Sequence, residues 1–170
     1  MTQPAFIPAT FTRKGELIQA ELTFLLDDHL EQVWAALTQP EQLLQWLAPG
    51  EIELRLGGAA KLNFTDSGVV IDSTVTAFEP MRLLEYSWSG PGEPTRPVRW
   101  ELEPLGGVVR LTLTLTMPAS EDVARSCAGW VAHLEMLAAT LAGIPIKFPF
   151  TVFKAARESY GAQLAAESAA

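Results

Sequence analysis

The stretch GGVVRLTLTLTMPASEDVARSCAGWVAHLEMLAATLAGIP, residues 106–145, holds two elements of different period on either side of one proline. Before Pro118, Val109, Leu111, Leu113 and Leu115 alternate with Arg110, Thr112, Thr114 and Thr116. A period of two marks a strand with one buried and one solvated face. Beyond the proline, Val123, Cys127, Trp130, Val131, Leu134, Leu137, Ala138 and Leu141 fall in one arc of roughly 120° at about 100° per residue, the stripe of an amphipathic helix. Ser120 is read as its cap. Glu121 and Asp122 suit the positive end of its dipole, and Gly143 with Pro145 marks the stop. At about 1.5 Å per residue this helix is roughly 30 Å long, enough to lie across several strands.

Toward the N-terminus, Ile18, Ala20, Leu22 and Phe24 alternate with polar residues and predict a strand over 17–26. Asp27 and Asp28 offer a cap, and Leu30, Val33, Trp34 and Leu37 then follow helical spacing. Pro40 suits the first turn of a second short helix carrying Leu43, Leu44, Trp46 and Leu47. From Ile52 onward the pattern is a meander. Its turns are predicted at Gly57-Gly58, at Asp66-Ser67-Gly68, at Glu79-Pro80-Met81-Arg82, in the Pro/Gly-rich segment Ser89–Pro97 and at Gly106-Gly107. The expectation is an α+β fold in which a curved antiparallel sheet of about seven strands grips the long helix, with two short helices after the first strand.

The chain's 170 residues, 48% of them apolar, suit one domain. With 20 acidic against 12 basic residues and a net charge of −8, neither nucleic acid nor an anionic membrane surface is expected as a partner. The single cysteine, Cys127, excludes an internal disulfide. Met1–Pro8 does not read as a signal peptide, and no apolar run is long enough to span a bilayer. The expected location is the cytoplasm.

Several features together resemble a known family. Val33-Trp34-Ala35-Ala36-Leu37-Thr38 with Pro40 and Trp46-Leu47 is similar to the opening of the family named for the activator of the heat-shock protein 90 ATPase, in the START-like (SRPBCC) superfamily. The Gly57-Gly58 turn, the strand Val98-Arg99-Trp100-Glu101-Leu102 and Gly129-Trp130 with His133-Leu134 and Leu137 extend the resemblance over roughly residues 17–143. It implies a helix-grip fold with a cavity between helix and sheet, and no single activity, because relatives include ligand carriers, cyclases and co-chaperone domains.

A curved sheet cannot follow a straight helix along its whole length, so a gap opens unless large side chains fill it. Trp46, Trp88, Trp100 and Trp130, with Leu113 and Leu134, are the candidate lining for an apolar small molecule. Alternatively, these side chains simply fill the core. Tyr86 and His133 are the candidate polar groups for orienting a ligand. No catalytic constellation, metal set or cofactor is expected: two histidines are not spaced as a metal pair, and a buried Cys127 is an inert small hydrophobe. Asp72 and Glu85 read as ordinary strand-face carboxylates. Binding without defined catalysis is the first reading. A cyclase- or hydrolase-type enzyme using the same cavity and a co-chaperone-like regulator of an ATPase partner are the alternatives.

The domain is taken as residues 1–147, with 148–170 as its helical extension. Phe150, Phe153, Tyr160 and Leu164 would form a stripe there. The small-residue face of the long helix, with Ala128, Gly129, Ala132, Met136 and Ala139, is what this stripe would cover, in its own chain or across a homodimer.

Overall fold

The computed structural model describes residues 9–64 and 67–169. Met1–Pro8 and Asp66, the first residue of one expected turn, lie outside them. Strands β1 (Ala9–Lys14) and β2 (Leu17–Leu26) lead into helices α1 (Leu30–Thr38) and α2 (Pro40–Trp46). Strands β3 (Gly50–Ile52), β4 (Ala59–Phe64), β5 (Val69–Glu79), β6 (Leu83–Ser87), β7 (Pro97–Leu105) and β8 (Val108–Pro118) follow. Helices α3 (Val123–Leu141) and α4 (Phe150–Ala169) complete the fold.

All neighbours in the sheet are antiparallel, in the order β1-β2-β8-β7-β6-β5-β4-β3. Eight strands form it among the described residues, one more than the sequence pattern indicates. The added strand is β1, whose residues are mostly exposed, so it lacks the buried alternation that marks the others. The expected alternation in β8 holds: Val109, Leu111, Leu113 and Leu115 are buried, in register with β2 on one side and β7 on the other.

Curvature has a local source in β5. Its first half pairs with β4, its second half with β6, and the register slips between Val75 and Ala77. A bulge of this kind bends the strand and raises its twist. Thr76, the residue between, donates its hydroxyl to Glu85 Oε1 at 2.8 Å.

Two expected caps are corrected. The N-cap of α1 is His29, an exposed residue without a side-chain cap bond, rather than Asp27 or Asp28. That of α3 is Asp122, whose Oδ1 accepts from the Arg125 backbone N–H at 3.1 Å, rather than Ser120. The helix starts three residues beyond Ser120, so the serine is too far upstream to reach its free N–H groups. Pro40 opens α2 as expected, and Gly143 ends α3 with a φ of 78°.

The C-terminal helix α4 packs along α3 of the same chain. Ala156 and Tyr160 are buried there, and Tyr160 meets Phe11 of β1 edge to face at 6.1 Å. Gln163 donates to the Ala9 carbonyl at 3.1 Å, so α4 also ties down the edge strand. On α3, Ala128 and Ala132 are buried, whereas Gly129 and Met136 remain partly exposed. Phe150, at the start of α4, is exposed. Among the described residues no helix is long and apolar enough to cross a membrane.

Replacing Tyr160 by Ala removes the largest buried side chain of α4 and the ring contact to Phe11. Urea denaturation of Tyr160→Ala is expected to show a loss of about 2–4 kcal/mol, and hydrogen exchange in β1 is expected to accelerate with it.

Candidate functional site

The space between α3 and the sheet is filled by rings. Trp46, at the end of α2, meets Trp100 of β7 edge to face at 5.9 Å. Trp100 meets Trp130 of α3 at 5.5 Å, and Trp130 meets Trp88, just past β6, at 4.7 Å. Leaving a buried donor or acceptor unmatched costs about 1–3 kcal/mol, and the two most deeply buried of these rings, Trp46 and Trp100, match theirs. The Trp100 indole N–H bonds the Tyr86 phenol oxygen, and burial pushes that phenol's pKa well above its ordinary value. The Trp46 indole N–H donates to the Ala36 carbonyl at 2.7 Å. That carbonyl lies in the last turn of α1, where helix carbonyls lack intrahelical partners.

His133 joins this assembly from α3. Its Nδ1 lies 2.9 Å from the Trp46 carbonyl oxygen. A carbonyl only accepts, so Nδ1 carries the proton and donates. Burial moves the imidazole pKa below its ordinary value, and the bond to the Trp46 carbonyl opposes that only in part. Trp46 therefore links three helices: its indole holds α1, its backbone carbonyl holds α3, and it belongs to α2.

Above these rings lies an open groove of about 1060 Å³. Its floor is a closed quartet of rings: Phe64–Trp88 at 5.8 Å, Trp88–Trp130 at 4.7 Å, Trp130–His133 at 6.1 Å and His133–Phe64 at 6.0 Å. Gly129 and Met136 of α3 line one wall, Val69 and Ile71 of β5 another. Phe148, 5.4 Å from the His133 ring, and Phe153 close the end toward α4. At the opposite end the rim is charged. Arg96 forks onto Glu121, Nε donating to Oε1 at 2.9 Å and Nη2 to Oε2 at 2.9 Å, and lies 3.8 Å from Glu93. Asp122 accepts from the Arg125 backbone N–H and pairs with Arg157, and the backbone bond foremost, with the pairing, holds its carboxyl below the usual carboxylate range. A smaller depression of about 550 Å³ adjoins over β3, β4 and β5 and contains no aromatic side chain.

The family described as activator of Hsp90 ATPase homolog 1-like protein matches residues 29–142. The chain belongs to this family. Its place is in the START-like (SRPBCC) superfamily, and the curved sheet with its long helices is the helix-grip fold. A Bordetella parapertussis protein encoded by gene BPP1335 is 33% identical, with 95% of this chain and 94% of that one covered, and superposes with a TM-score of 0.68. CalU16 from Micromonospora echinospora is 22% identical over 92% of this chain and 96% of that one, with a TM-score of 0.77. DynU16, a protein of the dynemicin biosynthetic locus, is 27% identical over 75% of this chain and 48% of that one, with a TM-score of 0.67. Among proteins of curated function, none matches the chain.

In this member of the family the expected lining separates into two sets. Trp46, Tyr86, Trp100, Leu113 and Leu134 are at most 1% exposed and lie in the core beneath the quartet. Trp88, Trp130 and His133 face the groove. Sequence reasoning passes over Phe64, Phe148, Phe153, Gly129 and Met136 as lining. The run Phe148-Pro149-Phe150 with Phe153 carries a signal, since so many aromatics just past the helix stop exceed what a linker needs. Cys127 is buried and its thiol is pushed up to about 12 by desolvation, which leaves it protonated and unreactive at neutral pH. Glu85 is held by Arg99 at 3.3 Å, and Asp72 is exposed on β5. Among the described residues no group of three or more His, Cys, Asp or Glu could hold a metal.

Two measurements check this arrangement. Trp46→Phe keeps the ring but orphans the Ala36 carbonyl, and equilibrium unfolding is expected to lose about 1–3 kcal/mol. His133 is neutral in the fold at a pH where the unfolded chain protonates it. The unfolded state therefore binds more protons below about pH 6.5, and this residue makes stability fall as pH drops through that value. From about pH 7.5 to about 5.5, the melting temperature of the wild type is expected to fall further than that of His133→Phe.

Proposed function

We propose that this chain is a binding protein that holds an apolar or aromatic small molecule in the groove above the ring quartet, without catalysis of its own. The observation that carries the reading is the groove itself. Its volume of about 1060 Å³ stands at the upper end of the roughly 300–1,000 Å³ usual for small-molecule sites. Its floor is four aromatic rings, and its polar lining is one histidine, Ser67, Ser126 and a charged end. Trp88, Trp130, His133 and Phe64 are the contact residues. Trp46, Tyr86, Trp100, Leu113 and Leu134 act by holding that floor level. A neighbour in fold from a biosynthetic locus supports a small-molecule role.

A second reading has one observation in its favour. Leu44, Val69 and Phe150 on the groove rim are 62%, 46% and 66% exposed, and a protein segment docking across the groove would cover them. This is the co-chaperone-like alternative. A cyclase- or hydrolase-type reaction would use the same groove with His133 as its proton acceptor.

Thermal melting with tryptophan fluorescence against a panel of lipids, aromatic polyketides and flavonoids tests the binding reading. At a ligand concentration of about 100 times Kd, the native state gains about 2.7 kcal/mol, which raises the melting temperature by several degrees. The indole resonances of Trp88 and Trp130 are expected to shift at sub-saturating ligand, ahead of Trp46 and Trp100. Trp88→Ala is expected to weaken binding about ten-fold or more. If no compound raises the melting temperature, the reading fails.

A further inference from the structure

We infer that the polar anchor of this groove is the Nε2 atom of His133, and that it selects aromatic ligands bearing a hydroxyl group. This rests on the binding reading above and names its ligand class. The bond from Nδ1–H to the Trp46 carbonyl fixes the tautomer. In a neutral imidazole with Nδ1 protonated, Nε2 carries a lone pair and can only accept. Burial keeps the ring in that form.

Among the described residues Nε2 has no partner. The sealed side-chain atom without a partner there is Thr140 Oγ1, so Nε2 is not enclosed. His133 lines the groove, and it is the ring in the quartet that carries a free acceptor. Phe64 at 6.0 Å, Trp130 at 6.1 Å and Phe148 at 5.4 Å surround it. A ligand satisfying both features brings a planar ring to stack among these faces and an O–H to donate to Nε2.

An aromatic acid is disfavoured in the same place. Glu93, Glu121 and Asp122 share the charged rim with Arg96 and Arg125, and Arg96 is already engaged by Glu121. The rim therefore offers no surplus positive charge. The fixed tautomer also discriminates against aryl ethers, which present only acceptors to an acceptor.

The probes are 2-naphthol and its methyl ether, 2-methoxynaphthalene, titrated into the full chain at neutral pH and followed by the tryptophan indole resonances. The wild type is expected to bind the naphthol about ten-fold more tightly than the ether. In His133→Phe the ratio of the two affinities is expected to shrink to about two-fold or less, whatever the change in overall affinity. Without any substitution, two-bond nitrogen spectra are expected to show a pyridine-type Nε2 that shifts on saturation with the naphthol and not with the ether. Equal binding of the two compounds by the wild type, or a protonated Nε2 in the free protein, would overturn the hydroxyl anchor and leave the groove reading standing. Failure of both compounds to bind would overturn the groove reading and this inference together.

Discussion

The structure depends on how the wedge between a bent sheet and a straight helix is filled. The bulge in β5 bends the sheet, and an unfilled gap between sheet and α3 would forfeit dispersion contacts over much of the interface. Trp46, Trp100 and Trp130, each edge to face with the next, close it. Edge-to-face pairs each contribute about 0.5–1.5 kcal/mol beyond the area they bury. The larger effect is geometric, because three rigid rings fix the distance between α2, β7 and α3 at once. Smaller aliphatic side chains in the same places would leave the helix free to slide. Polar satisfaction tightens the arrangement further, since the two indole N–H groups of Trp46 and Trp100 each find an acceptor.

Filling the wedge decides where open space remains. The packed tryptophans of the core stop at Trp88 and Trp130, and the open groove lies beyond them, toward β4, β5 and the start of α4. Gly129 helps to keep it open, since a helix position without a side chain leaves a notch facing the groove. The ion pairs at the rim contribute little to stability, because exposed pairs are typically worth about 0–1 kcal/mol. Their effect on the site is to place a polar boundary at one end of an apolar trough.

The fold is legible in the sequence because β8 and α3 obey their periods so closely. Every inward residue of the strand pattern is buried, and the helical stripe faces the core from Val123 to Leu137. Edge strand β1 is not legible, because an edge next to solvent needs no apolar alternation. The caps mislead for a related reason. Asp27, Asp28 and Ser120 are all good capping residues, and only the first helical turn decides which residue stands beside it. For the site, residue type is informative and depth is not. Five tryptophans signal an aromatic interior, but nothing in their spacing separates Trp100 under the floor from Trp88 on it. Phe64 and Phe148 are distant in sequence and meet the same histidine only once the sheet has curved.

The pairing of β2 with β8 has a consequence for how the chain acquires its structure. Leu22 lies opposite Leu113, so β2, the second strand, must wait for β8, the last, before its inner edge is covered. Closing so long a loop before any contact compensates for it is entropically costly and slows folding. During synthesis, β3 to β7 can assemble as a local meander while β2 holds only its hairpin with β1. In the fold the edge strand β1 covers one side of β2, and β8 covers the other. Once β8 arrives, it joins the early and late strands of the chain one strand in from the sheet's edge.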